Sequence, residues 1–320
     1  MTTDAGAEVV AAPEELLAEA PVVKKGPARS RAAQRRREAM LGYLLVLPAF
    51  VVFAVFTFYP FGKNFQLALY RSPPFPNLPK RYVGLEQVGD VLGSEDFRQS
   101  LWATVAFALM SVPVGIFLGL ALAVAAHRRL RGIGIYRTIF ASTVTSSVAV
   151  ASVIFGTLFN PRIGYLPWMG FDPQPPLLEN PDWVLPSVAL VSVWQNTGLS
   201  FIVMTAGLQT LPDEVLEAAE IDGARAWRRF WRVTVPMLSP TIFFAVVVGS
   251  IFAFQAFGQI DLLAPNGGPL QRANVLVYFI YSKRQDPGYA AVLAIALFVI
   301  TLMLTLFQLR VLERRVHYAT

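Results

Sequence analysis

Six stretches of this chain contain no Asp, Glu, Lys or Arg: residues 39–62, 99–126, 138–161, 183–212, 233–260 and 287–309. The shortest holds 23 residues. A bilayer core about 30 Å thick is crossed by roughly 20 residues of α-helix. Each run is therefore long enough for one crossing, and none is long enough for two. Only helices and closed barrels satisfy their own backbone groups in lipid, and runs of this length read as helices. The chain is expected to be an all-α, multi-pass membrane protein with six spans. They are placed at about 40–62, 100–126, 138–160, 184–210, 235–260 and 288–309.

Composition agrees. Of the 320 residues, 55% are hydrophobic and 15% charged, against about 25% charged in a soluble domain. There is no cysteine and there are two histidines, His127 and His317. Disulfides, thiolate catalysis, Cys-bound zinc and an all-histidine metal site are thereby set aside. The net charge of +6 suggests membrane orientation rather than nucleic acid. With a cytoplasmic N-terminus, 18 of the 27 Lys and Arg fall in cytoplasmic segments and nine outside. That excess favours an N-in, C-in arrangement. Residues 1–38 are rich in Ala, Glu, Pro and basic residues and read as a disordered basic tail. The apolar run behind them begins too late and is too long for a cleaved leader. Residues 39–320 form the transmembrane domain.

The spans carry polar residues at depth. Pro113 and Gly115 lie in the second. Ser142, Thr143, Thr145, Ser146 and Ser147 crowd the third. Trp194, Gln195 and Asn196 lie in the fourth, with Gln255 and Gln259 in the fifth and Asp261 at its outer end. Lipid offers such groups no hydrogen bond, so they face other helices or water. Helix packing accounts for any one of them; as a set they fit a polar pathway. Arg272, Lys283 and Arg284 lie on its outer side. Residues 273–282 form a seventh apolar run too short to cross, read as interfacial or re-entrant. Residues 162–182 read as an irregular, ordered cap.

The segment 211–235, between spans four and five, has its own pattern. Pro212 suits a helix start, and Asp213 and Glu214 complement the helix dipole. Ala218 and Ala219 give a small face, and Gly223 permits a sharp break. In the second half Trp227, Phe230 and Trp231 share one helical face, with Arg225, Arg228, Arg229 and Arg232 on the rest. An amphipathic connector anchored at the interface and a docking surface both fit this pattern.

The residues Glu217-Ala218-Ala219, Asp222-Gly223-Ala224, Phe230, Pro236 and Pro240 resemble the EAA motif of permease subunits of ABC importers. The resemblance extends to Tyr82-Val-Gly-Leu-Glu86, to Trp194 and to Ala206-Gly-Leu-Gln-Thr-Leu-Pro212. Leu158-Phe-Asn-Pro161, Gly267-Gly-Pro269 and the ending from Phe307 to Tyr318 are similar to the glycerol-3-phosphate branch of that family. The resemblance implies the type I importer (MetI-like) permease fold in the cytoplasmic membrane. It implies that Glu217 to Ala224, with Phe230 and Pro236, couple the chain to an ATPase. It also implies a homologous second permease, an ATPase dimer carrying ATP and Mg, and an extracytoplasmic solute-binding protein. The implied solute is glycerol-3-phosphate or a glycerophosphodiester, with a sugar or oligosaccharide as the alternative.

No G-x-x-x-x-G-K-[ST], H-E-x-x-H or G-x-S-x-G sequence occurs, so the chain reads as a transport subunit without catalysis or cofactor of its own. An intramembrane enzyme or assembly factor would need a catalytic constellation. An ion-coupled transporter often carries charges at mid-membrane, and the six runs have none.

Overall fold

A computed structural model describes residues 28–73, 79–127 and 132–311, with side chains omitted for 28–34 and Asp213. The fold is helical. Its helices are α1 (Ala28–Phe53), α2 (Tyr59–Leu67), α3 (Glu86–Gly93), α4 (Glu95–Ala126), α5 (Ile133–Ala141), α6 (Val148–Phe159), α7 (Tyr165–Trp168) and α8 (Val184–Gln209). They continue with α9 (Asp213–Ile221), α10 (Ala226–Arg229), α11 (Val235–Met237), α12 (Ser239–Phe254), α13 (Gly258–Leu263), α14 (Leu276–Ser282) and α15 (Pro287–Val311). The strands β1 (Tyr70–Arg71) and β2 (Arg81–Tyr82) pair antiparallel, Tyr70 opposite Tyr82.

The chain divides into two units, residues 1–60 and 61–320. In the first, α1 begins at Ala28, so residues 28–38, expected within a disordered tail, are helical. Arg, Ala, Gln and Glu are good helix formers, and extending an existing helix avoids the cost of nucleation. Residues 1–27 of that tail lie outside the described residues, as do residues 312–320 of the C-terminal resemblance. A π-helical turn, Ala54–Phe58, follows α1. It ends two residues before Pro60. A proline lacks the N–H and clashes with the carbonyl four residues back, and a wide turn relieves that clash. The same device recurs at Phe230–Thr234, two residues before Pro236.

Four helices are long and apolar enough to cross a membrane: Arg35–Leu67, Glu95–Ala126, Val184–Gln209 and Pro287–Val311. Two further crossings are bent pairs: the first was expected as a single span, and the second joins the segment expected before the fifth span to that span itself. Ile133–Thr145 turns by 102° into Val148–Phe159, and Ala226–Met237 turns by 66° into Ser239–Phe254. Counting each pair as one span gives six. The hydroxyl-rich sequence accounts for the first break. Ser142, Thr143 and Thr145 hydroxyls donate to the carbonyls of Ile139, Phe140 and Ser142, competing with the helix ladder. Ser146 and Ser147 are extended, and Ser147 then caps α6 by accepting from Val150 N–H. The fifth span, expected to reach residue 260, stops at Phe254, and α13 starts four residues later at Gly258.

In the second unit, α4 and α8 form the packed centre. Gly115 and Gly119 bring α4 against Asn196 and Ser200 of α8. A Cβ on Gly119 would stand 2.4 Å from the Ser200 Cβ, so only glycine fits this spacing. Phe107, Val184, Val188, Val191 and Ile260 fill a core shared by α4, α8 and α13. A second core, with Val91, Leu276, Phe279 and Leu293, joins α3, α14 and α15. A third, with Leu120, Phe201, Met204, Leu208 and Leu238, closes the other end of α4 and α8. The short run 273–282 packs into the second core. Leu276 is fully buried, and its N–H donates to the buried Thr104 hydroxyl at 2.8 Å. Gln308 of α15 donates to the Ser250 hydroxyl of α12 at 3.0 Å.

Candidate functional site

Two interruptions of the helices, at Ser146–Ser147 and at residues 255–257 between α12 and α13, meet at the middle of α8. A cavity of about 530 Å³ is lined by Ser146 and Ser147 from the first break, Ser192, Gln195 and Asn196 from α8, and Gln255, Phe257 and Gln259 around the second. Gln195 Nε2 donates to the Ser146 carbonyl at 3.1 Å, satisfying a backbone group that the break exposes. Gln259 Nε2 donates to the Ser192 hydroxyl at 2.8 Å, within the buried wall. Gln255 is exposed to the space, while Ser192 and Gln259 are buried. The wall offers amides and hydroxyls beside apolar side chains such as Val148, Leu199 and Phe252, and no charged side chain lines it. Broken helices are tolerated at membrane depth where they line such a space.

Four of the six path candidates, Gln195, Asn196, Gln255 and Gln259, thus share one cavity. Trp194 does not: its ring packs edge-on against Phe155, 5.8 Å between centroids, beside the central core. Asp261 does not either. It lies in a second recess, about 430 Å³, with Asp96, Asn266, Asn274, Lys283 and Arg284. There Lys283 sits over the Phe279 and Tyr289 rings at 5.4 and 5.2 Å, and Arg284 over the Tyr281 ring at 4.5 Å. Arg272 lines neither space. Ser192 and Phe257 are cavity residues the sequence does not single out. Gly258, just after Gln255, is the local sign of the break that exposes them. Among the described residues no group of three or more His, Asp and Glu is placed to hold a metal ion.

At the other end of α8, the segment from Pro212 to Pro236 folds as helix, glycine, helix. Pro212 is extended and α9 follows. Gly223 takes φ +75°. Gly223 N–H donates to the Glu220 carbonyl and Ala224 N–H to that of Ala219, both at 3.0 Å. These two bonds close the helix end around a left-handed residue. Glu217, Ala218 and Asp222 are exposed, Ala219 and Ala224 half-buried, and Ile221 is 86% exposed. Glu217 forms no ion pair with a described residue, whereas Glu220 pairs with Arg229 across the turn. Phe230 turns inward onto the third core, and Pro236 is half-buried where α11 begins to turn into α12. The motif residues are therefore gathered on one compact element that leaves an acidic, small-faced helix open.

Residues 111–318 match the family model described as binding-protein-dependent transport system inner membrane component. The chain is 37% identical over 287 residues to the sn-glycerol-3-phosphate transport system permease protein UgpA of Agrobacterium fabrum, covering 87% of this chain and 97% of the relative. It is 34% identical to the protein of the same description from Yersinia enterocolitica, covering 87% and 96%. The fold superposes with a TM-score of 0.74 on a chain of a bacterial ABC transporter involved in the import of the acidic polysaccharide alginate, at 23% identity, covering 89% and 99%.

Proposed function

The chain belongs to the family of binding-protein-dependent transport system inner membrane components, and on that premise we propose that it is a permease of an ATP-driven importer for glycerol-3-phosphate or a glycerophosphodiester. It is a multi-pass protein of the inner membrane. The observation that carries the solute is the similarity to UgpA across 97% of that relative's length. The chain supplies one half of the path, and a homologous second permease supplies the other. An extracytoplasmic binding protein delivers the solute. Two ATPase subunits dock on the cytoplasmic side, where Glu217 to Ala224, Phe230 and Pro236 transmit their motion.

The cavity suits a polyol phosphate in a specific way. Amide and hydroxyl groups of Ser147, Gln195, Asn196, Gln255 and Gln259 match glycerol hydroxyls and phosphate oxygens. No cation lines this cavity among the described residues, so weak, neutral donors hold the phosphate there and release it. That is the behaviour a transit site needs, because tight capture would slow the passage. The counter-charge comes from the facing permease. The test is reconstitution of the whole complex in vesicles. Glycerol-3-phosphate, presented with the binding protein, should stimulate ATP hydrolysis and accumulate inside, while maltose-type sugars should not. Stimulation by an oligosaccharide and not by the phosphate would overturn the solute assignment and leave the permease reading standing.

A further inference from the structure

The segment after Gly223 has a second surface. The arm Ala226–Met237 leaves α12 at 66°. If α12 stands along the membrane normal, the arm lies 66° from that normal, nearer the membrane plane. It is strongly two-natured. Trp227, Phe230 and Trp231 form one aromatic cluster, with ring centroids 5.6 Å apart for the two tryptophans and 5.1 Å for Phe230 and Trp231. Phe230 anchors the cluster to the third core. Trp227 and Trp231 remain 72% and 46% exposed. Around them Arg225, Arg228 and Arg232 are exposed, and none forms an ion pair with a described residue. Arg229 alone is paired, to Glu220. The carboxylates of the element, Asp213, Glu214, Glu217, Glu220 and Asp222, all come ahead of Gly223 in the sequence.

We propose that this arm is an interfacial lipid contact: Trp227 and Trp231 enter the headgroup boundary, and Arg225, Arg228 and Arg232 hold anionic phospholipid headgroups of the cytoplasmic leaflet. The assignment rests on the proposed topology, in which this segment is cytoplasmic. Charge separation chooses the occupant. The cytoplasmic leaflet carries anionic lipid and attracts basic segments at its surface. Indole rings prefer the interface, where one edge is apolar and the other wet. An interfacial helix combines a basic face with Trp, Phe or Leu on the other. The acidic α9 is repelled by the same surface and is left to face the ATPase. Gly223 thus separates two docking faces of opposite sign. Anionic lipid would fix the arm from which α12 springs, and through it the pose of the coupling helix.

The assembled complex, reconstituted with brominated lipid, tests this directly. Bromine quenches tryptophan within contact range, and the part of the signal lost in a Trp227→Phe/Trp231→Phe variant belongs to the arm. Brominated phosphatidylglycerol, at about one third of a phosphatidylcholine vesicle, should quench that part at least about twofold more than brominated phosphatidylcholine at the same fraction. Arg225→Gln/Arg228→Gln/Arg232→Gln should abolish the preference, and Arg→Lys at the three positions should keep it. Solute-stimulated ATP hydrolysis should rise about threefold with phosphatidylglycerol in the natural chain and stay flat in the Gln variant. Equal quenching by the two lipids would overturn the proposal, because the tryptophans would then meet lipid without any choice of headgroup charge, and no quenching at all would overturn it by placing them against protein or water. The quenching readout needs no transported solute, so it remains decisive even if the solute assignment fails.

Discussion

The N–H of Ala224 donates to the carbonyl of Ala219 at 3.0 Å, joining the two halves of the helix–glycine–helix motif through the left-handed Gly223 between them. The bond explains why a glycine must stand there. At φ +75° a side chain strains the backbone by about 1–2 kcal/mol. A Cβ at Gly223 meets nothing within 4 Å, so the chain itself has room for it. Gly223→Asp is expected to abolish solute uptake while the protein still reaches the membrane, because no span is altered. Co-purification with the ATPase and uptake are the paired measurements. Full uptake by this variant would remove the segment from the coupling role. Glu217→Ala, which opens no internal contact, is expected to weaken ATPase co-purification without changing membrane insertion.

The cavity gives a graded expectation. Gln195→Ala, Asn196→Ala and Gln255→Ala should each lower uptake, with the complex still assembling. Gln259→Ala should do both things. It strips Ser192 of its buried donor, costing about 1 kcal/mol of stability, and it removes an amide from the wall. Trp194→Ala should act on stability alone through its lost packing against Phe155. Uptake rates beside thermal unfolding of the purified complex separate these outcomes. Natural uptake by all three exposed-wall variants would place the path elsewhere.

The contact between Gly119 and Ser200 predicts intolerance of any side chain. Gly119→Ala would place a Cβ 2.4 Å from that of Ser200 and 2.8 Å from the Phe201 nitrogen. The two helices must separate, at about 1–3 kcal/mol for overpacking. Reduced yield and a lower unfolding temperature are expected. Gly93→Ala, with nothing within 4 Å of the new Cβ, is the tolerated control.

Orientation is settled by fusions. A reporter active only in the cytoplasm should work after residue 35, near 130, near 225 and after 318. It should be silent near 85, 172 and 270. The asymmetry of basic residues between alternate segments motivates the pattern. Activity at 172 would mean that the bent pair before it does not cross, and the six-span count would fall to fewer.

Much was legible in the residue order because it depends on local transfer energies. Whether a run of 23 residues prefers lipid is decided by those residues alone. The same holds for the helix–glycine–helix signature, since Gly223, the proline before α9 and the aromatic spacing of the arm act within one or two turns. Ser146 and Ser147 advertised polarity, yet a run free of charge looks continuous whether or not its helix is broken. The third span, expected as one helix, was therefore a bent pair, and the fifth, expected to reach residue 260, ended at Phe254.

The sequence by itself determined which segments are apolar enough to cross, where the helix–glycine–helix motif lies and which family the chain resembles. Only the tertiary structure decided which polar residues meet. Gln195 finds Ser146, 49 residues earlier, and Gln259 finds Ser192, 67 residues earlier. Trp194 and Asp261, equally polar in the sequence, turn to other surroundings. The facing of a side chain is fixed by how α4, α8 and the two broken helices pack, and in particular by Gly115 and Gly119 letting α8 approach. That is a property of close approach between distant segments, where a shift of one methyl group decides the outcome.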